Sequence, residues 1–248
     1  MDWQIGPADS WERLGAWLTN FSTELPARPV GILLISAHWE EAELTVQGGA
    51  QPDLLFDYHG FPEHTYQLEY PACGSPDIAH ECHTLLQQQG IECQVSTDRP
   101  YDHGMFVPMK LMFPEADIPV VQLSLRQDLD AGFHIRAGAA LASLRDKGVL
   151  VVGSGLSYHN LLNFIQQRDS RSSQLFDDWL NALCELDVPD RQTQLEAWQT
   201  APAARAAHPR EEHLLPLMVA AGAAGNDSMH RVFTDTIHRH HISAFRFD

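Results

Sequence analysis

The chain has 248 residues, 44% hydrophobic and 20% charged, which suits one large α/β domain with a well-buried core and calls for no second domain. Its 33 acidic residues against 16 basic ones give a formal charge of -17 with no basic stripe to meet a phosphate backbone, which argues against nucleic acid as a partner and reads as a solubility device. Cys73, Cys82, Cys93 and Cys184 show no C-x-x-C spacing, the N-terminus has no leader pattern, and no apolar run approaches the ~20 residues of a membrane span, so reduced thiols and a cytoplasmic, membrane-free protein are expected.

Taken in chain order, a helix is expected from about Asp9 to Thr19, followed by a strand at 30–36. A short second strand is expected near Glu43–Gln47, and then an irregular aromatic segment from Phe56 to Pro71, too rich in Gly and Pro for a regular element. Ser75 reads as an N-cap before Pro76, with a helix to about Gln89 stopped by Gly90 and a strand at Ile91–Val95. A strand at Ile118–Leu125, an amphipathic helix from Asp130 to Lys147 ending at Gly148 and a strand at Val149–Val152 continue the alternation. Polar helices near 172–186 and 190–200 lead to an apolar helix ending near Gly225, and Arg231–Thr236 and Ile242–Phe247 read as edge strands. This order predicts an α/β fold: a single domain with a central, mostly parallel sheet and helices on both faces.

Three histidines stand where a metal enzyme would place them. His38 and His159 each follow a continuous apolar run that reads as a buried strand. If those strands are parallel neighbours, both imidazoles emerge at the carboxyl edge of the sheet, where open α/β folds bind ligands. His213 reads as part of the first turns of a helix opening near Pro209, with Glu211 and Glu212 at the positive end of the dipole. That is an ordinary helix opening by itself; convergence with His38 and His159 makes His213 a ligand candidate, backed by His208 or a carboxylate. In Tyr101-Asp102-His103-Gly104, Asp102 can fix the tautomer of His103 and Gly104 can permit close approach. His59, His64, His80, His83, His134, His230, His238, His240 and His241 read mostly as surface or packing residues.

The series SAHWE at 36–40, FDYHGFP at 56–62, Tyr70-Pro71 with GSP at 74–76, DHGMFVPMKLMFPEADIPVVQLSL at 102–125, GSGLSYHNL at 153–161 and AHPREEHLLPL at 207–217 resembles the class III extradiol ring-cleavage dioxygenases. The nearest branch is the 4,5-DOPA dioxygenase type, and the resemblance covers nearly the whole chain in the expected order. It implies that His38 and His213 are ligands of a non-haem metal, with His159 beside it as a further ligand or an acid/base. His103 would handle substrate or oxygen protons, and the aromatic residues of 56–62 with Tyr158 would shape the pocket. The metal would be Fe(II), which can share electrons with a catecholate and O2, whereas Zn2+ could occupy the site without redox chemistry. The substrates would be a DOPA-like catechol and O2.

Two departures from that family stand out. Its members open with a strand ending in a His-Gly-Ser-Pro type motif whose histidine is a metal ligand, and this sequence has none. Met1 is expected to fall just after that motif, as an internal methionine; the alternative is a chain that has lost a ligand and an inner strand. The segment Thr236–Ile242 also departs from the family's small-residue turn. Two other readings stay open: a zinc hydrolase, which lacks support from any H-E-x-x-H motif, and a metal-binding homologue without turnover.

Overall fold

The apolar runs around 31–35 and 149–152 become parallel neighbours in the computed structural model, which describes residues 9–248; Met1 and the expectation attached to it lie outside the described residues. Strands β1 (Gly31–Glu41), β2 (Leu44–Gln47), β3 (Cys93–Ser96), β4 (Val120–Arg126) and β5 (Val149–Ser154) form one sheet in the order β3-β2-β4-β1-β5. β1 runs parallel to both β4 and β5, while β2 is parallel to β3 and antiparallel to β4. The sheet is therefore mostly parallel, as expected.

Both faces of β1 are covered, which explains its unbroken apolar character. Leu33 and Ile35 enter one core cluster and Ile32 and Leu34 the other, all at 0% exposure. The helices around the sheet are α1 (Glu12–Asn20), α2 (Pro76–Gln88), α3 (His103–Met112), α4 (Ala131–Ala140), α5 (Ser143–Asp146), α6 (Leu161–Gln166), α7 (Ser170–Ala182), α8 (Val188–Glu196), α9 (Ala204–Ala207) and α10 (Leu215–Ala223). Helix α3 contributes Met105, Phe106 and Met109 to the cluster around Ile32 and Leu34, and α10 contributes Leu215, Met218 and Val219 to the other.

Local signals behave as their chemistry predicts at α2: Ser75 Oγ accepts from the Ile78 amide at 3.3 Å, and Gly90 takes a φ of +70° beyond the helix end. The helix expected over 130–147 is instead divided into α4 and α5, because amides 141, 142, 144 and 145 bond three residues back and tighten the chain into turns. The last two strands also differ from expectation. β6 (Met229–Ile237) and β7 (His240–Phe247) do not extend the central sheet; they pair with each other in a separate antiparallel ribbon. His238 and Arg239 both have positive φ, the geometry of a tight hairpin turn, and Ile237, Ile242 and Met229 fasten the ribbon to the core. Among the described residues, all four cysteines are free thiols, and no helix is long and apolar enough to cross a membrane.

Candidate metal centre and active site

β1 delivers His38 at the point where its pairing gives way. The ladder with β5 ends at Ser36↔Ser154, and the register with β4 breaks between Ile35 and Glu40, so Ser36–Trp39 lie in an irregular stretch at the carboxyl edge. The start of α3 is locked against this stretch by Asp102, which is 0% exposed. Its carboxylate accepts from Ser36 Oγ at 2.7 Å, Gln122 Nε2 at 2.9 Å, Arg99 at 3.3 Å and, as helix N-cap, the Met105 amide at 3.3 Å. A Cβ on Gly104 would stand 2.6 Å from Ser36 Oγ and 2.8 Å from His38 Cδ2, so only glycine allows this approach. As a result the rings of His103 and His38 lie 3.9 Å apart.

Asp102 is thus fully engaged elsewhere, and it does not fix the tautomer of His103. The carboxylate that meets the ring is that of Asp57, whose Oδ1 lies 2.7 Å from His103 Nδ1 and accepts from the His103 backbone N–H at 3.1 Å. Asp57 was not singled out by the sequence reading, although it stands inside the FDYHGFP segment, an acidic residue in an irregular aromatic stretch. Tyr58, its neighbour, meets the His103 ring edge-on at 5.5 Å, and Phe56, Phe61 and Tyr66 pack on Tyr58.

His159 and His213 come from loops. His213 is not helical: α10 opens at Leu215 with Pro216 in its first turn, the one place where a missing N–H costs nothing. Ahead of it the chain turns through Glu211, whose carbonyl accepts from the Leu214 and Leu215 amides. The His159 amide donates to the Ala207 carbonyl at 3.1 Å, and the Leu156 amide donates to His213 Nδ1 at 3.2 Å. A Cβ on Gly155 would collide with the His213 carbonyl oxygen, so this crossing also depends on glycine. His159 and His213 stack at 3.4 Å, and His213 meets His38 edge-on at 4.9 Å. The four imidazoles singled out in the sequence form one row: His103, His38, His213, His159.

The row ends in a second carboxylate. Glu212 Oε1 lies 3.1 Å from His159 Nδ1, so it serves His159 and not His213. Arg210 then ties Glu212, at 3.5 Å, to Glu40 at 2.5 Å. His208 is not part of the row; it is fully buried, its Nε2 3.0 Å from the Ser157 carbonyl, with Phe176 against its ring. Tyr158 also turns away, 1% exposed and stacked on His240 at 4.7 Å, so the aromatic segment at 56–62 walls the site without it. His134 and His240 are buried packing residues bonded to backbone, whereas His59, His80 and His230 are exposed.

The electrostatics suit metal capture. Burial, reinforced by repulsion from His103, lowers His38 to about 4; burial and the neighbouring His159 and His38 hold His213 well below its ordinary value. Both rings are therefore neutral near pH 7, with a lone pair to give. At Asp57 and Glu212 burial alone would raise the carboxyl pKa, but hydrogen bonds from His103 and His159 outweigh it and keep both lowered. Two sets of donor atoms each fall within 4.8 Å of one another, His38 with Asp57 and His103, and His159 with Glu212 and His213. Each is two imidazoles and one carboxylate, the donor chemistry of non-haem Fe(II) sites. In a neutral His213 the bond from Leu156 places the ring proton on Nε2, so ligation there means giving up either that bond or that proton.

The crevice beside His159, bounded by Leu156, Asn160 and Phe164, measures about 40 Å³, whereas a cavity that admits benzene is about 150 Å³. A larger cleft, about 660 Å³, lies behind Phe56, between Gln51 and Cys73, and is lined by none of the four histidines.

Comparison with known proteins places these residues in context. Residues 8–246 match the family described as catalytic LigB subunit of aromatic ring-opening dioxygenase. The chain is 41% identical to dioxygenase tasH of Hapsidospora irregularis over 221 residues, covering 84% of this chain and 68% of that protein. It is 42% identical to 4,5-DOPA dioxygenase extradiol of Beta vulgaris over 205 residues, covering 81% and 75%, and 33% identical to the protein of that name from Escherichia coli K12 over 220 residues, covering 86% and 77%. Among solved structures, uncharacterized protein JW3007 from Escherichia coli K12 superposes with a TM-score of 0.78 at 28% identity, covering 93% of this chain and 91% of that one.

Proposed function

The chain belongs to the aromatic ring-opening dioxygenase family, and from that premise we propose that its row of histidines binds Fe(II) and opens the ring of a DOPA-like catechol with O2, beside the diol. The observation that carries the reading is the convergence of His38, His213, His159 and His103 with two carboxylates at one sheet edge. His38, His213 and His159 hold the metal in this reading. The donor set fits, since imidazole suits iron and the rings of His38 and His213 are neutral. Fe(II) supplies the redox chemistry that O2 requires and the cationic charge that lowers the pKa of both catechol oxygens.

The chain's own side chains provide the proton path and the walls. His103, with Nδ1 against Asp57, has Nε2 left to take a catechol proton and later return it. His159, with Nδ1 against Glu212, has Nε2 left for the metal or for a second proton. Tyr58 and its aromatic neighbours give the substrate ring an apolar face. The DOPA-like substrate is supported by the names of the relatives from Beta vulgaris and Escherichia coli. Zn2+ would fit the same donors but offers no accessible redox step.

The test is oxygen uptake by the anaerobically Fe(II)-loaded protein on mixing with a panel of catechols in air. DOPA or a close analogue should give uptake together with a yellow ring-opened semialdehyde, and Zn2+-loaded protein should be silent. Absence of uptake with every catechol would defeat the proposal.

A further inference from the structure

We propose that Asp57 is a positioning residue that keeps the proton of His103 on Nδ1 and so presents Nε2 as the base; this rests on the reading of His103 as the group that moves a substrate proton. One oxygen, Asp57 Oδ1, lies 2.7 Å from the ring Nδ1 and 3.1 Å from the backbone nitrogen of the same residue. An ionised carboxylate has no hydrogen to donate, so the short contact to the ring exists only with a hydrogen on Nδ1. In the neutral ring the lone pair then belongs to Nε2. Because Oδ1 also holds the backbone N–H, the carboxylate is referenced to the first turn of α3, and the ring is fixed relative to the helix rather than merely to a side chain.

The surroundings leave the ring no second orientation of equal quality. Tyr58 closes one side edge-on, at 5.5 Å and 87°, and His38 lies 3.9 Å away. A half-turn of the imidazole would put a carbon against Asp57 and lose the 2.7 Å bond. Capping does not account for Asp57 either, since Asp102 already caps α3 through the Met105 amide. Asp57 reaches the ring from a different segment, the aromatic loop that walls the site, so the same loop that shapes the pocket also sets the base.

The first measurement needs neither turnover nor a variant. Long-range proton–nitrogen spectra of the full chain labelled with 15N-histidine, loaded with diamagnetic Zn2+ at about pH 8, where free imidazole is neutral, report which nitrogen of each ring is protonated. His103, identified by the resonance missing in His103→Gln, should show a protonated Nδ1 and a bare Nε2; a proton on Nε2 would overturn the proposal. In Asp57→Ala the preference for Nδ1 should be lost. The second measurement is steady-state oxygen uptake with the Fe(II)-loaded enzyme. Asp57→Ala should lower kcat by about 10²-fold, at the low end for lost proton transfer, with KM and iron content within about twofold of the parent. Asp57→Asn, whose NH2 can turn toward Nδ1 and drive the ring proton onto Nε2, should be at least as slow as Asp57→Ala. A variant Asp57→Ala with parental kcat, or one changed only in KM, would contradict a positioning role. No uptake by the parent protein would defeat the dioxygenase reading, whereas the spectra would still decide the role of Asp57.

Discussion

His103 stands on the first turn of α3 and His159 on a loop, yet each has Nδ1 against a carboxylate, Asp57 at 2.7 Å and Glu212 at 3.1 Å. The two walls of the site contain the same chemical pair and are held by different means. On the His103 side regular structure does the holding: a strand end, a helix N-terminus, and the buried Asp102 that joins Ser36, Gln122 and Met105. On the His159 side the chain is irregular, pinned by single bonds from His159 to Ala207, Leu156 to His213 and Asn160 to Ala206. A wall made of hydrogen-bonded elements fixes its side chains through many shared constraints, whereas each pin on the loop side acts nearly alone. The loop wall should therefore be the more sensitive to substitution in its metal-holding duty, and the helix wall in its proton-moving one.

The largest effect is expected on the loop wall. His159→Ala should bring catechol-dependent oxygen uptake to background, because this ring serves whether as ligand or as acid/base; any residual rate above about one part in 10³ would show that the stack with His213 is only packing. On the helix wall, His103→Ala should retain full iron while turnover falls by about 10²–10⁴-fold, so that metal content and rate part company. Loss of iron in that variant would erase the distinction between the walls.

Smaller effects follow from the supporting groups. Glu212→Gln removes the charge that orients His159 and should weaken iron binding by about 10–100-fold in a chelator competition assay. An unchanged affinity would mean that Arg210, which also contacts Glu40, is the true anchor of this loop. The mildest effect concerns stability. Burial lowers His208 to about 4, while an unfolded chain protonates its imidazoles near 6.5, so the unfolded state binds the extra proton and stability is lost as pH falls between those values. The urea midpoint should drop from pH 7 to pH 5, and His208→Gln should flatten that slope; parallel slopes would show that His208 is not the linked group.

How far the sequence could be read follows the same division. The sheet, its parallel order and the exit of His38 at the strand end were legible because long apolar runs and turn residues report local structure directly. All four histidines of the row were legible as candidates too, His213 included, although its helix was placed about two turns early: Pro209 looked like an opening, but Pro216 marks it. What could not be read was pairing across the chain. Asp102 is adjacent to His103 in sequence and serves Ser36 and Gln122 instead, while Asp57, 46 residues away, holds the ring. Tyr158 sits beside His159 in sequence but packs into the core against His240, a contact with a residue more than eighty positions away. The C-terminal strands carried a correct alternation, but alternation alone does not say whether a strand joins the main sheet or folds back on its neighbour.

The central claim is that both walls close on one metal centre, with His38 from the strand edge and His213 from the loop as shared ligands. Iron content after anaerobic loading and desalting, compared between the parent chain, His38→Ala and His213→Ala, tests it most directly. A single equivalent in the parent and a marked loss in both variants is the predicted result. Full iron occupancy in either variant would contradict it and would confine the metal to one wall.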